Sequence, residues 1–149
     1  MDIGNSNFGR PPVPYQTIDH TADIGIAVQA DNVEALFTEA ARALSELIFG
    51  QRAFTAAETR TIIVKGSDWP DLMINWLREL LFLWNGDNQI IGPVTVLRIA
   101  PFTIEATVPV DNTPCDPRDI FTEIKAVTYH QIQVEKQASG WRARIIFDG

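Results

Sequence analysis

The closing stretch Gln131–Gly149 reads "QIQVEKQASGWRARIIFDG", and its interpretation decides the fold. "QASG", Gln137 to Gly140, has the composition of a tight turn between two strand-like runs, which makes the segment a hairpin with antiparallel neighbours. In the second run, strict alternation puts Trp141, Ala143, Ile145 and Phe147 on one face, and Arg142, Arg144 and Asp148 on the other. One face is apolar and the other charged, as expected of a half-buried strand.

Working outward, further strand-like runs lie at Tyr15–Asp19, Ile24–Ala30, Thr59–Lys65, Val94–Ile99, Phe102–Val108 and Ile124–Glu135. Ala100-Pro101 marks a tight link between two of them. Helical spacing governs Leu36, Phe37, Ala40, Leu44, Leu47 and Ile48, with Asp31 and Glu34 placed as an aspartate form of the capping box and Gly50 as the stop. A second helix is marked by Trp69, Leu72, Met73, Trp76, Leu77, Leu80, Leu81 and Trp84, with Pro70 in its first turn and Asn85-Gly86 closing it. Two long amphipathic helices serving about seven strands do not form the regular strand–helix alternation of a doubly wound sheet. The expected class is α+β, a sandwich of mainly antiparallel strands with the two helices packed on the sheet.

The chain has 149 residues, 46% of them hydrophobic and 21% charged, which fits one globular domain. Residues 1–14, "MDIGNSNFGRPPVP", have little to bury and read as a flexible leader before a single domain at 15–149. The formal net charge of -7 argues against strong direct binding to nucleic acid, which depends on cationic side chains displacing phosphate counterions. Cys115 is the only cysteine, so neither an intramolecular disulfide nor a thiolate-rich metal site can be built. No run reaches the roughly 20 apolar residues of a membrane span, and the opening residues lack the layout of a secretory signal. A cytoplasmic protein with no membrane partner is expected.

Nucleotide-binding glycine loops and a nucleophile elbow are absent from the sequence. Chemistry-bearing residues concentrate instead in "TIDHTADIGI", Thr17–Ile26, and at the other end of the chain. Asp19 and Asp23 suit turns that bond nearby amides, and His20 suits a turn-fixing hydrogen bond, a ligand or a general base. If Gly149 is the terminus, its α-carboxylate lies beside Asp148. Were Asp23 to approach, three carboxylates would meet and need a cation or raised pKa values to offset repulsion. Oxygen donors of this kind suit Ca2+, Mg2+ or Mn2+ better than zinc or copper. In "TEIKAVTYH", Thr122–His130, parity with inward Ile132 and Val134 turns Thr128 and His130 inward and Lys125, Val127 and Tyr129 away, and the mixed pattern calls for a bulge or burial on both faces. Lys125 by itself reads as a solvated charge.

Four motifs in collinear order, "DHTADIGI" (19–26), "DLMINWLRELLFL" (71–83), "EIKAVTYH" (123–130) and "WRARIIFDG" (141–149), resemble the archease family. The resemblance spans roughly Tyr15 to Gly149. It implies an α+β fold and a non-catalytic accessory protein that promotes guanylylation and multiple turnover of an RtcB-type tRNA-splicing RNA ligase. It also implies a metal site, commonly calcium, formed by Asp23, Asp148 and the chain terminus at Gly149, with Lys125 and His20 as parts of the functional surface. Two departures stand out: the family usually ends in an aliphatic residue after the aspartate, where this chain has Gly149, and often carries a histidine near Asp119 in the loop "CDPRDIF".

Two other classes of function fit the same residues. One is a metal-dependent phosphate-ester hydrolase in which the carboxylates carry the cation and Lys125 or His130 assists. The other is a metal-free, chaperone-like binding module.

Overall fold

The computed structural model describes residues 15–19 and 23–149. Among them are eight strands and two long helices: β1 (Tyr15–Asp19), β2 (Asp23–Ala30), α1 (Val33–Phe49), β3 (Glu58–Lys65), α2 (Trp69–Asn85), β4 (Ile90–Ile91), β5 (Thr95–Ala100), β6 (Thr103–Asp111), β7 (Ala126–Gln137) and β8 (Gly140–Asp148). The α+β class holds. The expected leader, residues 1–14, and His20 lie outside the described residues.

The strands form two antiparallel sheets. The first has the order β1-β2-β8-β7, and in the second β6 pairs with β3 on one side and with β4 and β5 on the other. Both helices touch strands of both sheets, α1 reaching β2, β8 and β5 and α2 reaching β7, β3 and β4. The core therefore runs through a helical layer between the sheets. This arrangement explains why α2 buries Ile74 and Leu83 as well as the stripe of Leu72, Met73, Trp76, Leu77, Leu80 and Leu81. A helix covered from two directions needs more than one apolar stripe.

Aromatic side chains tie the layers together. Trp69 meets Phe102 at 5.2 Å and Trp141 at 5.5 Å between ring centroids, both edge-on, and Phe37 at 6.1 Å. Buried Trp76 donates its indole N–H to the Phe37 carbonyl at 3.0 Å, which meets the polar need of a buried indole.

The first helix differs from expectation at its start. Asn32, not Asp31, is the N-cap, accepting from the Ala35 amide at 2.8 Å. Either residue type can cap, and what decides between them is which extended residue sits directly before the first helical one. The second helix is capped by Asp68, which accepts from the Asp71 amide at 2.8 Å, with Pro70 in the first turn. Gly50 and Gly86 close the helices by donating to Glu46 and Phe82 carbonyls.

The C-terminal hairpin forms as read, with Ala143, Ile145 and Phe147 buried on the helix side. Its partner β7 departs from simple parity. Thr128 pairs with Ile146 but the next pair is Gln133 with Arg144, so three extra residues bulge from β7, with Gln131 in the left-handed region at φ 53°. An odd insertion flips the faces. Val127 is consequently buried on the same side as Val134 and His130 is exposed, against the parity assignment from sequence, while Lys125 and Tyr129 are exposed as that assignment has them; the bulge expected from the mixed pattern is present.

Candidate functional site

At one end of the first sheet, three adjacent strands bring together residues far apart in sequence. Asp23 opens β2 and is the direct cross-strand partner of Asp148, which closes β8 and is in turn the partner of Ala126 at the start of β7. Antiparallel partners share a face and hold their Cβ atoms roughly 4.5–5.5 Å apart. Both aspartates lie on the face opposite Ile24, Phe147 and Val127, turned away from the core by the pleat. Asp148 is exposed and Asp23 partly so.

Lys125 stands just before β7, not within the strand as its sequence context suggested. Its amide donates to the Asp148 carbonyl at 2.7 Å, which fixes the lysine backbone beside the terminal aspartate, and its side chain is exposed. The preceding residue supplies the anchor. Ile124 is buried, and its carbonyl accepts from the Asn85 side chain at the end of α2 at 3.1 Å. A Cβ at Gly149 would lie 3.2 Å from the Glu123 carbonyl and 3.7 Å from Ile24 Cδ1, so the exposed Gly149 lies next to both the β7 lead-in and β2.

A second cluster braces the same end of β7. Arg78 of α2 donates from its guanidinium to the Val127 carbonyl at 3.1 and 3.2 Å and stacks 4.9 Å over the Tyr129 ring. Tyr129 donates its hydroxyl to Asp71 at 2.6 Å. That bond, with the Ser67 amide, holds the Asp71 carboxyl below its ordinary range, and Asp71 in turn raises the Tyr129 hydroxyl. Sequence reading did not single out Arg78 or Asp71. The available signal was one arginine in an otherwise leucine-rich turn of α2, "WLRELL".

The structure thus sets Asp23, Asp148, Gly149 and Lys125 side by side, while His20 falls outside the described residues. Two opposed carboxylates repel across an antiparallel pair unless a cation or proton lies between them. Their oxygens suit a hard cation such as Ca2+ or Mg2+. Among the described residues, however, no group of three or more His, Cys, Asp or Glu side chains is arranged to hold a metal. Beyond the two aspartates, donors would have to come from the main chain, the α-carboxylate where Gly149 is the terminus, or water.

Other polar features have structural explanations. Buried Asp111 accepts from the Thr113 and Thr55 amides at 2.9 and 3.1 Å, and bonds to Thr113 and Thr55 keep its carboxyl low. Partly buried Cys115 accepts from Arg52 at 2.8 Å. A depression of about 350 Å3 between α1 and the β4–β5 link, lined by Phe49, Phe54, Ile91 and Val94 among others, lies away from the aspartate pair. No described helix is long and apolar enough to cross a membrane.

Known proteins share this architecture. A model of the Archease protein family (MTH1598/TM1083) matches residues 15–148. "Protein archease" of Methanosarcina mazei is 31% identical over 138 residues, covering 90% of this chain and 94% of the relative. That of Methanopyrus kandleri is 32% identical over 139 residues, covering 91% and 99%. The solution structure of Methanobacterium thermoautotrophicum protein 1598 superposes with a TM-score of 0.74 at 25% identity, over 91% of this chain and 99% of that one. The matched span runs from the first residue of β1 to the last of β8 and so takes in every described helix and strand, including both halves of the Asp23–Asp148 pair: the chain belongs to the archease family.

Proposed function

We propose that this protein is a cytoplasmic, non-catalytic activator of an RtcB-type tRNA-splicing RNA ligase, promoting ligase guanylylation and repeated turnover. Family membership supports the reading, and the observation that carries it to particular residues is the Asp23–Asp148 cross-strand pair with Lys125 hydrogen-bonded beside it. Asp23, Asp148 and the main chain at Gly149 would hold a divalent cation, in the first instance Ca2+, with Mg2+ or Mn2+ as chemically similar candidates. Such a cation would neutralise the opposed carboxylates and stiffen the ends of β2 and β8. Lys125, presented by the same strand ends, supplies a mobile positive charge toward a partner surface, with His20 close in sequence to Asp23.

An activator must bind one state of its partner more tightly than another, because a ligand shifts an equilibrium only by its differential affinity. On this account the rigid strand-end surface favours the ligase state that accepts the nucleotide. The experiment is a guanylylation assay with the purified cognate ligase. Wild-type protein accelerates formation of the ligase–guanylate adduct, and the Asp23→Ala, Asp148→Ala double variant loses that acceleration. Wild-type acceleration by the double variant contradicts the metal-linked reading, and hydrolysis of a phosphate ester by the protein alone contradicts the non-catalytic one.

A further inference from the structure

Resting on the ligase-activator reading above, we infer that Arg78 and Asn85 of α2 are positioning residues for Lys125. They clamp the short segment Ile124–Val127 at both ends, so that the lysine is held in one place beside Asp148.

β7 is an edge strand of the first sheet, with β8 on one side only, and α2 packs against it. Cross-strand pairing alone therefore secures its lead-in from a single side. The Lys125 amide donates to the Asp148 carbonyl at 2.7 Å, and α2 takes both flanking carbonyls: Asn85 donates from Nδ2 to Ile124 at 3.1 Å, and Arg78 donates from Nη2 and Nε to Val127 at 3.1 and 3.2 Å. The dimensions of the two elements permit this double attachment. Arg78 and Asn85 stand two turns apart on one face of the helix, a rise of about 10 Å. Three residues of extended chain span about the same distance. Ile124 and Val127 are also buried, so side chain and carbonyl are fixed at each end of the segment while Lys125 between them is exposed.

The Arg78 guanidinium is itself held. It lies 4.9 Å over the Tyr129 ring, and the Tyr129 hydroxyl donates to Asp71 at 2.6 Å, which also accepts from the Ser67 amide at 2.8 Å. Among the described residues Arg78 forms no ion pair, so its charge is directed at the Val127 carbonyl and the ring. A hydrogen bond from a charged donor is stronger than a neutral one, which suits it to hold a main-chain segment. A lysine ammonium rides on a flexible stem; with the backbone fixed, only the stem remains to be ordered when a partner engages it, and binding loses less entropy. An activator that works by differential affinity for one ligase state depends on such definition.

Two measurements on the full-length protein test this. Amide hydrogen exchange followed by NMR needs no ligase. In Arg78→Ala the Lys125 amide is expected to exchange about tenfold faster than in wild type, the effect of losing one charge-assisted hydrogen bond, while the amides of β6 keep their rates. In the guanylylation assay, Arg78→Ala and Asn85→Ala each lower the acceleration by a similar factor. Neither lowers it further in a Lys125→Ala background, at protein concentrations where that background still accelerates the ligase measurably, because residues that act through one another are not additive. Should Arg78→Ala fail to fold, Asn85→Ala, exposed at the end of α2, carries both measurements. Unchanged Lys125 exchange, or losses that add to that of Lys125→Ala, overturn the inference. Faster exchange with undiminished acceleration overturns the positioning role alone, whereas no acceleration by the wild-type protein overturns the ligase reading and the positioning role with it.

Discussion

Asp23 and Asp148 illustrate how much a residue's meaning depends on what lies across the strand. Local chemistry in "TADIG" assigns Asp23 to a turn, and alternation assigns Asp148 to a solvated face; only the β2–β8 register makes them neighbours. With no cation present, like charges at directly opposed positions cost stability, so Asp23→Asn leaves the melting temperature unchanged or raises it. Added Ca2+ should raise the melting temperature of wild type and not of Asp23→Asn, since only a ligand bound by the folded state stabilises it. Equal shifts for both proteins count against the aspartates as ligands. At Asp71 the sign of a pH effect is set by its lowered carboxyl. A depressed pKa contributes stability above the ordinary carboxylate range and loses it as pH falls through the lowered value. Tyr129→Phe removes the first cause of the depression, so its stability falls less steeply than wild type below about pH 4, as measured by urea unfolding at stepped pH.

At the scale of elements, the identity and order of the helices and long strands were legible because their periods are unambiguous, while boundaries yielded to local geometry. The cap of α1 is an example. Asn32→Ala should cost about 1 kcal/mol in urea unfolding, whereas Asp31→Ala should stay within about 0.5 kcal/mol; the reverse order would make Asp31 the cap. The short strand β4 escaped detection because two isoleucines have no period. In β7 the sequence showed that simple alternation fails, though it did not show where. The left-handed Gln131 marks the place, and Gln131→Gly, which adopts positive φ without strain, should not destabilise the protein. A clear loss of stability in that variant would mean that the glutamine side chain, and not the backbone, holds the bulge.

The whole molecule is a helical layer enclosed by two sheets, and this was the least legible feature of the fold. Amphipathic periodicity shows that a helix buries one face; whether its remaining apolar residues meet a second sheet depends on long-range pairing that spacing does not encode. The same limit applies to the candidate site. Comparison of motifs named Asp23, Asp148, Gly149 and Lys125, and strand pairing brought them to one sheet end through contacts between opposite ends of the chain. The most direct test of the proposed role is the number of RNA joining events per ligase molecule, with the cognate RtcB-type ligase limiting and RNA in excess. Wild-type protein should carry each ligase through many joining cycles, while Lys125→Ala and the Asp23→Ala, Asp148→Ala double variant, each verified as folded, should let it stall early. Turnover that is the same with and without the wild-type protein would contradict the account.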